Sequence, residues 1–429
     1  MLKMRKIFLI GLIIVIFLPF KLYGKSVFSL RDAVLFALKN NPELKTYELK
    51  IKEAEFNKKQ TISAFLPTVS LVYNFQRSDE GNGFPATNFS SIGPELSWNI
   101  FNGFQDWYSY KEFSMLLNFQ KQEEKSKAVE IAFQVVQTYL EYFKQKAFYQ
   151  SALKDLKDAQ TVLELVKQKY KQGLCSYADL LDAEAKVKKA KFEVTKYLYT
   201  AEIAKAELLT LLNLDISKIS EIEFLPPDTK SLEVKPIEFY INFALKNNPQ
   251  LKAINYAISA QEAKVKAVKG EFLPSVDLYV QYYKTSQSLS LYPSKDQEFT
   301  AGIKITFPLF LGGKRYFELE KQETALKEKV LQKRSLKLNI AKEVFSCYKS
   351  LESAKQKYLA SQEWLKKVEE DYKVVKEKYN QGVAGIVDLT TVYARLASAR
   401  AEVIDSKYDL IKKYYELKKT VGIIPGLEP

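Results

Sequence analysis

Side chains that could carry out catalysis are scarce in this sequence. None of its 429 residues is a histidine, and its two cysteines, Cys175 and Cys347, lie far apart in the chain. Histidine general bases, Ser-His-Asp triads and histidine-ligated metals are therefore excluded, and two separated thiols are too few for a structural zinc site. We also find no phosphate-binding loop and no glycine-rich dinucleotide turn. The sequence predicts a protein that is not an enzyme, with no catalytic residue, metal or cofactor.

Carboxylates that follow two glycines are the remaining candidates for chemistry. Asp179 comes six residues after Gly173, and Asp388 comes six residues after Gly382. Each carboxylate can be a helix-start residue that the helix dipole favours. Residue type and spacing alone indicate no further role for them.

The net charge of the chain is basic but dispersed. Lys and Arg number 65 against 51 Asp and Glu, which gives a formal net charge of +14. The excess is spread along the predicted helices, whereas a nucleic-acid site needs a concentrated basic face or a stacking platform. We therefore predict solvated helix surfaces and no nucleic-acid partner.

The first residues have the layout of a secretory signal peptide, which we place at 1–24. Three basic residues precede the apolar residues 7–18. An apolar core this short favours a cleaved signal over an uncleaved membrane anchor. No later stretch contains the roughly 18 apolar residues of a membrane helix. No cysteine precedes Cys175 to accept a lipid anchor.

An internal repeat organises the rest of the chain. Ala37–Pro42 recurs without change as Ala244–Pro249 at an offset of 207, and Lys169–Gly173 recurs with one substitution as Lys378–Gly382 at an offset of 209. Self-similarity on this scale indicates two tandem copies of one structural unit. We predict a first repeat at 25–212, a linker at 213–235, a second repeat at 236–421 and a C-terminal tail at 422–429.

Two segments in each repeat alternate apolar and polar residues with period two. In the first segment Val69, Leu71, Tyr73 and Phe75 alternate with mostly polar residues. About ten residues of such alternation suit the wall of a barrel with one face to lipid and the other to its lumen. A half-buried hairpin on a soluble core is the alternative interpretation. The predicted strands lie at about 68–78, 92–101, 275–285 and 299–310.

Long helical segments follow each pair of strands. Apolar residues recur there every three or four positions, and neither proline nor glycine interrupts 105–172 or 314–381. Such a seam predicts coiled-coil packing, and a helix of this length reaches on the order of 100 Å. The predicted helices lie at about 31–65, with a break at Pro42, and at about 105–172, 176–212, 237–271, 314–381 and 385–420.

The number of strands requires an oligomer. Four strands cannot close a barrel, and open edges in lipid would leave backbone groups without partners, at roughly several kcal/mol each. Two, three or four copies would supply eight, twelve or sixteen strands, and an eight-stranded barrel is filled by its own side chains. A duct therefore needs at least three subunits. A structural coiled-coil protein or adhesin of the cell surface is the alternative, which explains the helices but not the two hairpins.

These features together resemble the TolC-type outer-membrane efflux proteins over nearly all of the mature chain. The paired Ala-Leu-Lys-Asn-Asn-Pro and Phe-Leu-Pro blocks, the two glycine turns and the paired Asp-Leu steps carry the resemblance. It implies a mainly α-helical fold with a transmembrane β part: a homotrimer with a 12-stranded barrel in outer-membrane lipid and a coiled-coil tunnel in the periplasm. It also implies a passive exit duct of a tripartite efflux or type I secretion system, driven by an inner-membrane pump through a periplasmic adaptor protein.

The resemblance also assigns roles to the ends of the long helices. At two positions the chain departs from the family pattern, because Ala384 stands in place of an arginine gate partner and Thr391 in place of a second ring aspartate. The family closes its tunnel here, and the matching ring and gate residues are Asp179, Asp182, Asp388 and Tyr379.

The turns at the helix ends are the implied docking site of the adaptor. Plain helix termination by glycine is the alternative role, and both roles are compatible. The residues concerned are Gly173, Leu174, Gly382 and Val383.

Overall fold

A computed structural model of the chain describes residues 26–78, 87–227, 233–287 and 296–427. The expected signal peptide at 1–24 lies outside these ranges. The described chain is mostly helical, with one four-stranded sheet and one two-stranded sheet. The fold class expected from the sequence, long helices combined with a β part, is confirmed. Within the described ranges, no helix combines the length and the apolar character needed to cross a membrane.

Both repeats run in the same order: a short strand, two helices, a hairpin and two long antiparallel helices. The first repeat comprises β1 (Ser26–Phe28), α1 (Leu30–Asn40), α2 (Pro42–Ile62), β2 (Thr68–Ser78), β3 (Thr87–Asn102), α3 (Gln105–Lys171) and α4 (Tyr177–Leu211). The second comprises β4 (Ile222–Phe224), α5 (Ile237–Asn247), α6 (Pro249–Gly270), β5 (Ser275–Gln287), β6 (Gln297–Thr306), α7 (Lys314–Asn380) and α8 (Ile386–Val421).

The repeated Asn-Pro pair explains why each repeat begins with two helices. The Asn41 side chain accepts a hydrogen bond from the N–H of Glu43 at 2.9 Å, and its amide donates to the Leu211 carbonyl at 3.2 Å. Asn248 caps α6 in the same way and donates to the Thr420 carbonyl at 3.1 Å. Proline suits the first helical position because it has no N–H to satisfy there. The block thus starts the second helix and ties it to the end of the returning helix.

The long helices carry the chain far from the sheet. α3 and α7 are each 67 residues long, or roughly 100 Å at about 1.5 Å per residue. α4 and α8 return along them as two antiparallel coiled coils. Because α3 and α7 start directly after β3 and β6, the glycine turns lie at the opposite end of the molecule from the sheet.

The larger sheet is antiparallel throughout, in the order β2-β3-β5-β6. Val69 pairs with Leu96, Leu96 with Val280, and Val280 with Ala301, so the two hairpins form one continuous sheet. The alternating apolar side chains predicted from the sequence are exposed in this subunit. They include Val69, Leu71, Tyr73, Phe75, Ile303 and Ile305.

Several boundaries differ from those expected from the sequence. The segment expected as a linker, 213–235, contains β4, which pairs in parallel with β1. These three-residue strands are too short for a periodic signal, so only the tertiary structure brings them together. β3 begins at Thr87 rather than near 92. β6 ends at Thr306 rather than near 310, because none of the described strands pairs with the residues that follow.

Buried apolar residues form several clusters along the helices. One joins α1, α3 and the end of α4 with β4, and the C-terminal residues Ile424 and Leu427 pack against it. A second joins α5, α7 and α8. A third lies near the glycine turns and contains residues of both repeats, among them Val166 and Leu389. The two repeats are therefore packed together along much of the helical length.

Candidate functional site

Both glycine turns at the helix ends adopt the same left-handed geometry. Gly173 has φ of 71° and Gly382 has φ of 80°. The N–H of Leu174 donates to the Lys169 carbonyl at 2.8 Å, and the N–H of Val383 donates to the corresponding carbonyl of Lys378 at 2.9 Å. This is the Schellman arrangement, which needs a residue with positive φ. Helix termination therefore accounts for both glycines, and adaptor docking at these turns stays a prediction.

Apolar side chains are exposed around these turns. Leu174 is 69% exposed and Val383 is 74% exposed, and Tyr177 and Val387 beside them are also largely exposed. An apolar cluster of this kind, on the rigid end of a coiled coil, is a surface that a protein partner can cover.

The structure places Asp179 and Asp388 at the starts of the returning helices. Asp179 accepts hydrogen bonds from the backbone N–H of Ser176 at 2.9 Å and from its hydroxyl at 2.8 Å, which completes a capping box. Asp388 accepts from the N–H of Gly385 at 3.0 Å, but glycine offers no side chain for the reciprocal bond. Both carboxylates therefore cap helices. Asp182 forms an exposed ion pair with Lys186 on its own helix at 2.6 Å.

Tyr379, the fourth predicted entrance residue, is buried between the two repeats. Only 4% of it is exposed. The ammonium nitrogen of Lys169 lies 4.0 Å from the centre of its ring and also donates to its carbonyl oxygen. Lys169 belongs to α3 and Tyr379 to α7, so the contact joins the two coiled coils at their ends. Within the described residues the Tyr379 hydroxyl has no hydrogen-bond partner.

Asp179 is close enough to Tyr379 to influence the pKa of the tyrosine. Burial is the main cause that raises the pKa of Tyr379, and Cys175 and the Asp179 carboxylate raise it further. The tyrosine is therefore neutral. Of the two positions that depart from the family pattern, Ala384 packs against the apolar cluster that contains Tyr379, whereas Thr391 is exposed.

A polar cluster farther along the coiled coils was not predicted from the sequence. The Arg400 guanidinium of α8 donates to Asp155 at 2.6 Å and to Asp158 at 2.9 Å, both on α3. The Tyr393 hydroxyl donates to the Asp155 carbonyl at 2.7 Å. Burial opposes the charged form, but the hydrogen bonds that Arg400 donates to both carboxylates raise its pKa. These residues are far apart in sequence, so no local pattern could have paired them.

A second polar link between the repeats lies nearer the sheet end. Asp405 of α8 binds Lys144 of α3 at 2.6 Å and Lys357 of α7 at 3.4 Å. Beside it, the hydroxyls of Ser361 and Ser406 are 2.7 Å apart and buried. The interface between α3 and the second repeat is thus held by polar contacts at three levels: Lys169 against α7, and Arg400 and Asp405 of α8 against α3.

The described residues contain no cluster of metal-ligating side chains. No group of three or more cysteine, aspartate or glutamate side chains in the described ranges could hold a metal ion. The arrangement presents instead an apolar sheet face at one end, an apolar surface with capped carboxylates at the other, and long helices between.

Comparisons with known proteins agree with this geometry. The curated relatives include the protein CyaE of Bordetella pertussis, which is 22% identical over 87% of this chain and 79% of its own length. The alkaline protease secretion protein AprF of Pseudomonas aeruginosa is 22% identical over 92% of this chain and 85% of its own. The cation efflux system protein CusC of Escherichia coli is 23% identical over 87% and 81%.

Solved structures show the same fold. A structure of CusC superposes with a TM-score of 0.82 over 92% of both chains at 18% identity. The outer-membrane channel OprN superposes with a TM-score of 0.80 over 92% of this chain and 89% of its own, at 15% identity. A sequence profile described as outer membrane efflux protein matches residues 36–214 and 240–423, which are the two repeats. The chain therefore belongs to the outer membrane efflux protein family.

Proposed function

We propose that three copies of this chain form the exit duct of an export system in the outer membrane. In the assembly, three four-stranded sheets complete a 12-stranded barrel, and the coiled coils form a tunnel through the periplasm. The observation that carries the proposal is the larger sheet. It exposes alternating apolar side chains on one face, and within the described part of a single subunit neither of its edge strands has a further partner strand. In a bilayer such edges need partners, which identical neighbours supply.

The duct is passive in this proposal, and the energy for transport comes from elsewhere. The sequence carries no nucleotide-binding loop. An inner-membrane pump would supply the energy, and a periplasmic adaptor would connect the pump to the helix ends. The relatives named above serve a secretion system and a cation efflux system. Their different cargoes do not indicate the cargo of this chain, which the pump would select.

Fractionation and conductance test the duct itself. We expect the chain to be extracted from outer membranes only by detergent, as an oligomer, and to produce discrete channels in planar bilayers. A water-soluble monomer without channel activity would contradict the proposal and would favour a coiled-coil surface protein.

The predicted docking site lies at the apolar turns. We propose that Gly173, Leu174, Gly382 and Val383 contact the adaptor. Leu174→Asp with Val383→Asp should abolish export in cells while the oligomer and its bilayer conductance persist, because the glycine turns are untouched. Phe192→Asp, which changes an exposed apolar residue away from the turns, is the matched control. Normal export in the double variant would remove the docking role.

We propose that acidic side chains surround the periplasmic entrance of the duct. Asp179, Asp182 and Asp388 would each be repeated three times around the axis and would attract cations. Their carboxylates lie at the same end of the molecule as the buried Tyr379, which supports an acidic entrance.

A further inference from the structure

The two faces of the larger sheet carry different side chains. Successive residues of a strand point to opposite faces, so the pairing register assigns each residue to one face. The face with the exposed apolar side chains, which we call the lipid face, includes the paired row of Val69, Leu96, Val280 and Ala301. The adjacent row, with Glu95 and Gln281, belongs to the opposite face, which we call the lumen face.

Charged residues are divided unequally between these faces. In the described strands, the lumen face carries three carboxylates and one cation: Glu95, Asp277, Glu298 and Lys304. The lipid face of the same strands carries two cations, Arg77 and Lys284, and no carboxylate. Both cations are exposed. Each is therefore available to an anion that approaches from outside the sheet.

Lys284 lies where the lipid face changes from apolar to polar. It pairs with Ile92, and the next row beyond it holds Ser90 and Ser286. Val276, at the other end of β5, is eight residues away, or about 27 Å along the strand. The tilt of barrel strands reduces this to about 20 Å across a bilayer, close to the height of the apolar band of outer-membrane barrels. The Lys284 ammonium group therefore reaches the headgroup layer.

Aromatic side chains on the lipid face indicate the same level. Four of them are exposed in the rows around Lys284: Tyr73, Phe75, Tyr282 and Phe299. Tyrosine and other aromatic residues are enriched where a membrane meets water. The aromatic side chains and the change from apolar to polar residues thus agree on the depth of Lys284.

Arg77 lies farther toward the same end of the sheet. Tyr73 and Lys284 belong to one row through Ile92, and Arg77 follows Tyr73 by four residues on β2. Two strand spacings and four residues separate the Cα atoms of Arg77 and Lys284 by roughly 17 Å. A guanidinium and an ammonium group on long side chains at this spacing can bind separate phosphates of one large headgroup.

The cations lie at the end of the sheet that is remote from the helices. β2 ends at Ser78, one residue after Arg77, and β5 ends at Gln287, three residues after Lys284. The long helices α3 and α7 follow the opposite ends of the hairpins. In the proposed duct the helices occupy the periplasm, so this end of the sheet faces the cell exterior. The outer leaflet there consists of lipopolysaccharide, whose lipid A headgroup carries phosphates.

We propose that Arg77 and Lys284 bind the headgroup phosphates of a lipopolysaccharide molecule whose acyl chains lie against the apolar part of the lipid face. The inference rests on the proposed duct, which sets the orientation of the sheet, and it assigns a lipid ligand to its outer surface. Charge complementarity supports this occupant, because a zwitterionic phospholipid offers one phosphate beside a cation of its own. A headgroup with two phosphates and no cation matches two cations without a carboxylate.

Binding of diphosphoryl lipid A to the purified oligomer in detergent tests the site. Arg77→Gln with Lys284→Gln should weaken binding roughly 30-fold, since one cation near an anionic lipid surface contributes about fivefold. Lys304→Gln removes a cation from the lumen face of the same sheet and is the matched control, with no expected change in affinity. Equal affinities of the wild type and the double variant would overturn the proposal.

A second measurement uses the wild-type protein alone and so does not depend on the folding of a variant. Diphosphoryl lipid A should bind about fivefold more tightly than monophosphoryl lipid A, which lacks one phosphate. Equal affinity for the two lipids would contradict a site with two phosphates. Tighter binding of phosphatidylglycerol would identify the occupant as a phospholipid and would equally overturn the proposal.

Bilayer conductance of the same preparations separates this inference from the proposed duct. We expect the double variant to form channels like those of the wild type while its binding of lipid A is weakened. Channels together with unchanged lipid A binding would overturn the lipid site and leave the duct standing. Absence of channels from the wild type would overturn the duct, and with it the orientation that the lipid site requires.

Discussion

The first and second repeats build the same elements from related sequences, yet they bury different faces. α3 and α7 have the same length, but Val136 is fully buried on α3 while its equivalent Phe345 stands exposed on α7. The first repeat is covered by the second, whereas the matching face of the second is open in the single subunit. The difference indicates that the second repeat has a face that nothing in the described part of its own chain covers. In the proposed oligomer, a neighbouring copy would cover this face.

The polar contacts sharpen this comparison. Lys169, Arg400 and Asp405 hold α3 against the second repeat, and their equivalents at an offset of 209 are Lys378, Lys191 and Lys196. The interface between α3 and the second repeat therefore has ion pairs at Arg400 and Asp405, whose equivalents in the first repeat are both lysines. Substitutions at equivalent positions of the two repeats should have unequal effects.

The largest difference is expected at Arg400. Arg400→Met would leave Asp155 and Asp158 as partly buried charges without their partner, and should lower the free energy of unfolding by about 3 kcal/mol. Lys191→Met, at the equivalent position, should change it by less than about 0.5 kcal/mol. Thermal unfolding in detergent, followed by circular dichroism, measures both. Equal effects of the two substitutions would contradict the view that the Arg400 ion pairs stabilise the interface between the repeats.

The paired glycines provide the next largest contrast. Gly103→Ala would place a methyl group against the Gly270 carbonyl and strain a residue with φ of 68°. We expect a loss of about 2 to 3 kcal/mol. Gly312→Ala carries only the left-handed strain, about 1 kcal/mol in the isolated subunit.

Urea unfolding of both glycine variants, compared before and after assembly into oligomers, checks this contrast. A cost for Gly312→Ala that rises on assembly would support a neighbour packed at this junction. A cost that stays constant would argue that the junction remains open.

A smaller effect is expected at the helix ends. Lys169→Ala removes the cation from the Tyr379 ring and should cost about 1 kcal/mol. Lys378→Ala, its exposed equivalent, should cost nothing measurable. Loss of this contact should speed amide hydrogen exchange of the residues near Gly173 and Gly382 in the Lys169→Ala variant. Similar exchange in both variants would mean that the contact does not hold the two coiled coils together.

The smallest effect separates capping from charge at Asp179 and Asp388. Both residues lie at the third helical position, where asparagine keeps an oxygen that can accept the N-cap N–H but carries no charge. Asp179→Asn with Asp388→Asn should therefore weaken cation block of channels in planar bilayers while the stability of the oligomer is kept. Asp179→Ala should in addition cost about 1 kcal/mol of stability. Unchanged block in the asparagine variant would leave these residues as helix caps alone.

The local elements could be predicted from the sequence because their causes are local. Asn-Pro pairs divide the first helices, glycines end the long ones, and alternation marks the strands. Asp179 and Asp388 were placed correctly at helix starts as one of two interpretations, and the capping bonds now account for their position. The entrance ring and the adaptor-docking role stay predictions, because both depend on molecules outside a single chain.

The sequence by itself determined the repeat, the periodicity of each helix and strand, and the absence of catalytic histidine chemistry, since these follow from residue type and short spacing. Only the tertiary structure decided that β4 pairs with β1, that Arg400 bridges Asp155 and Asp158, and that α7 keeps an open apolar face. The physical reason is that these features depend on which distant segments pack together. A period of two or of three to four residues specifies a face but does not specify what covers it.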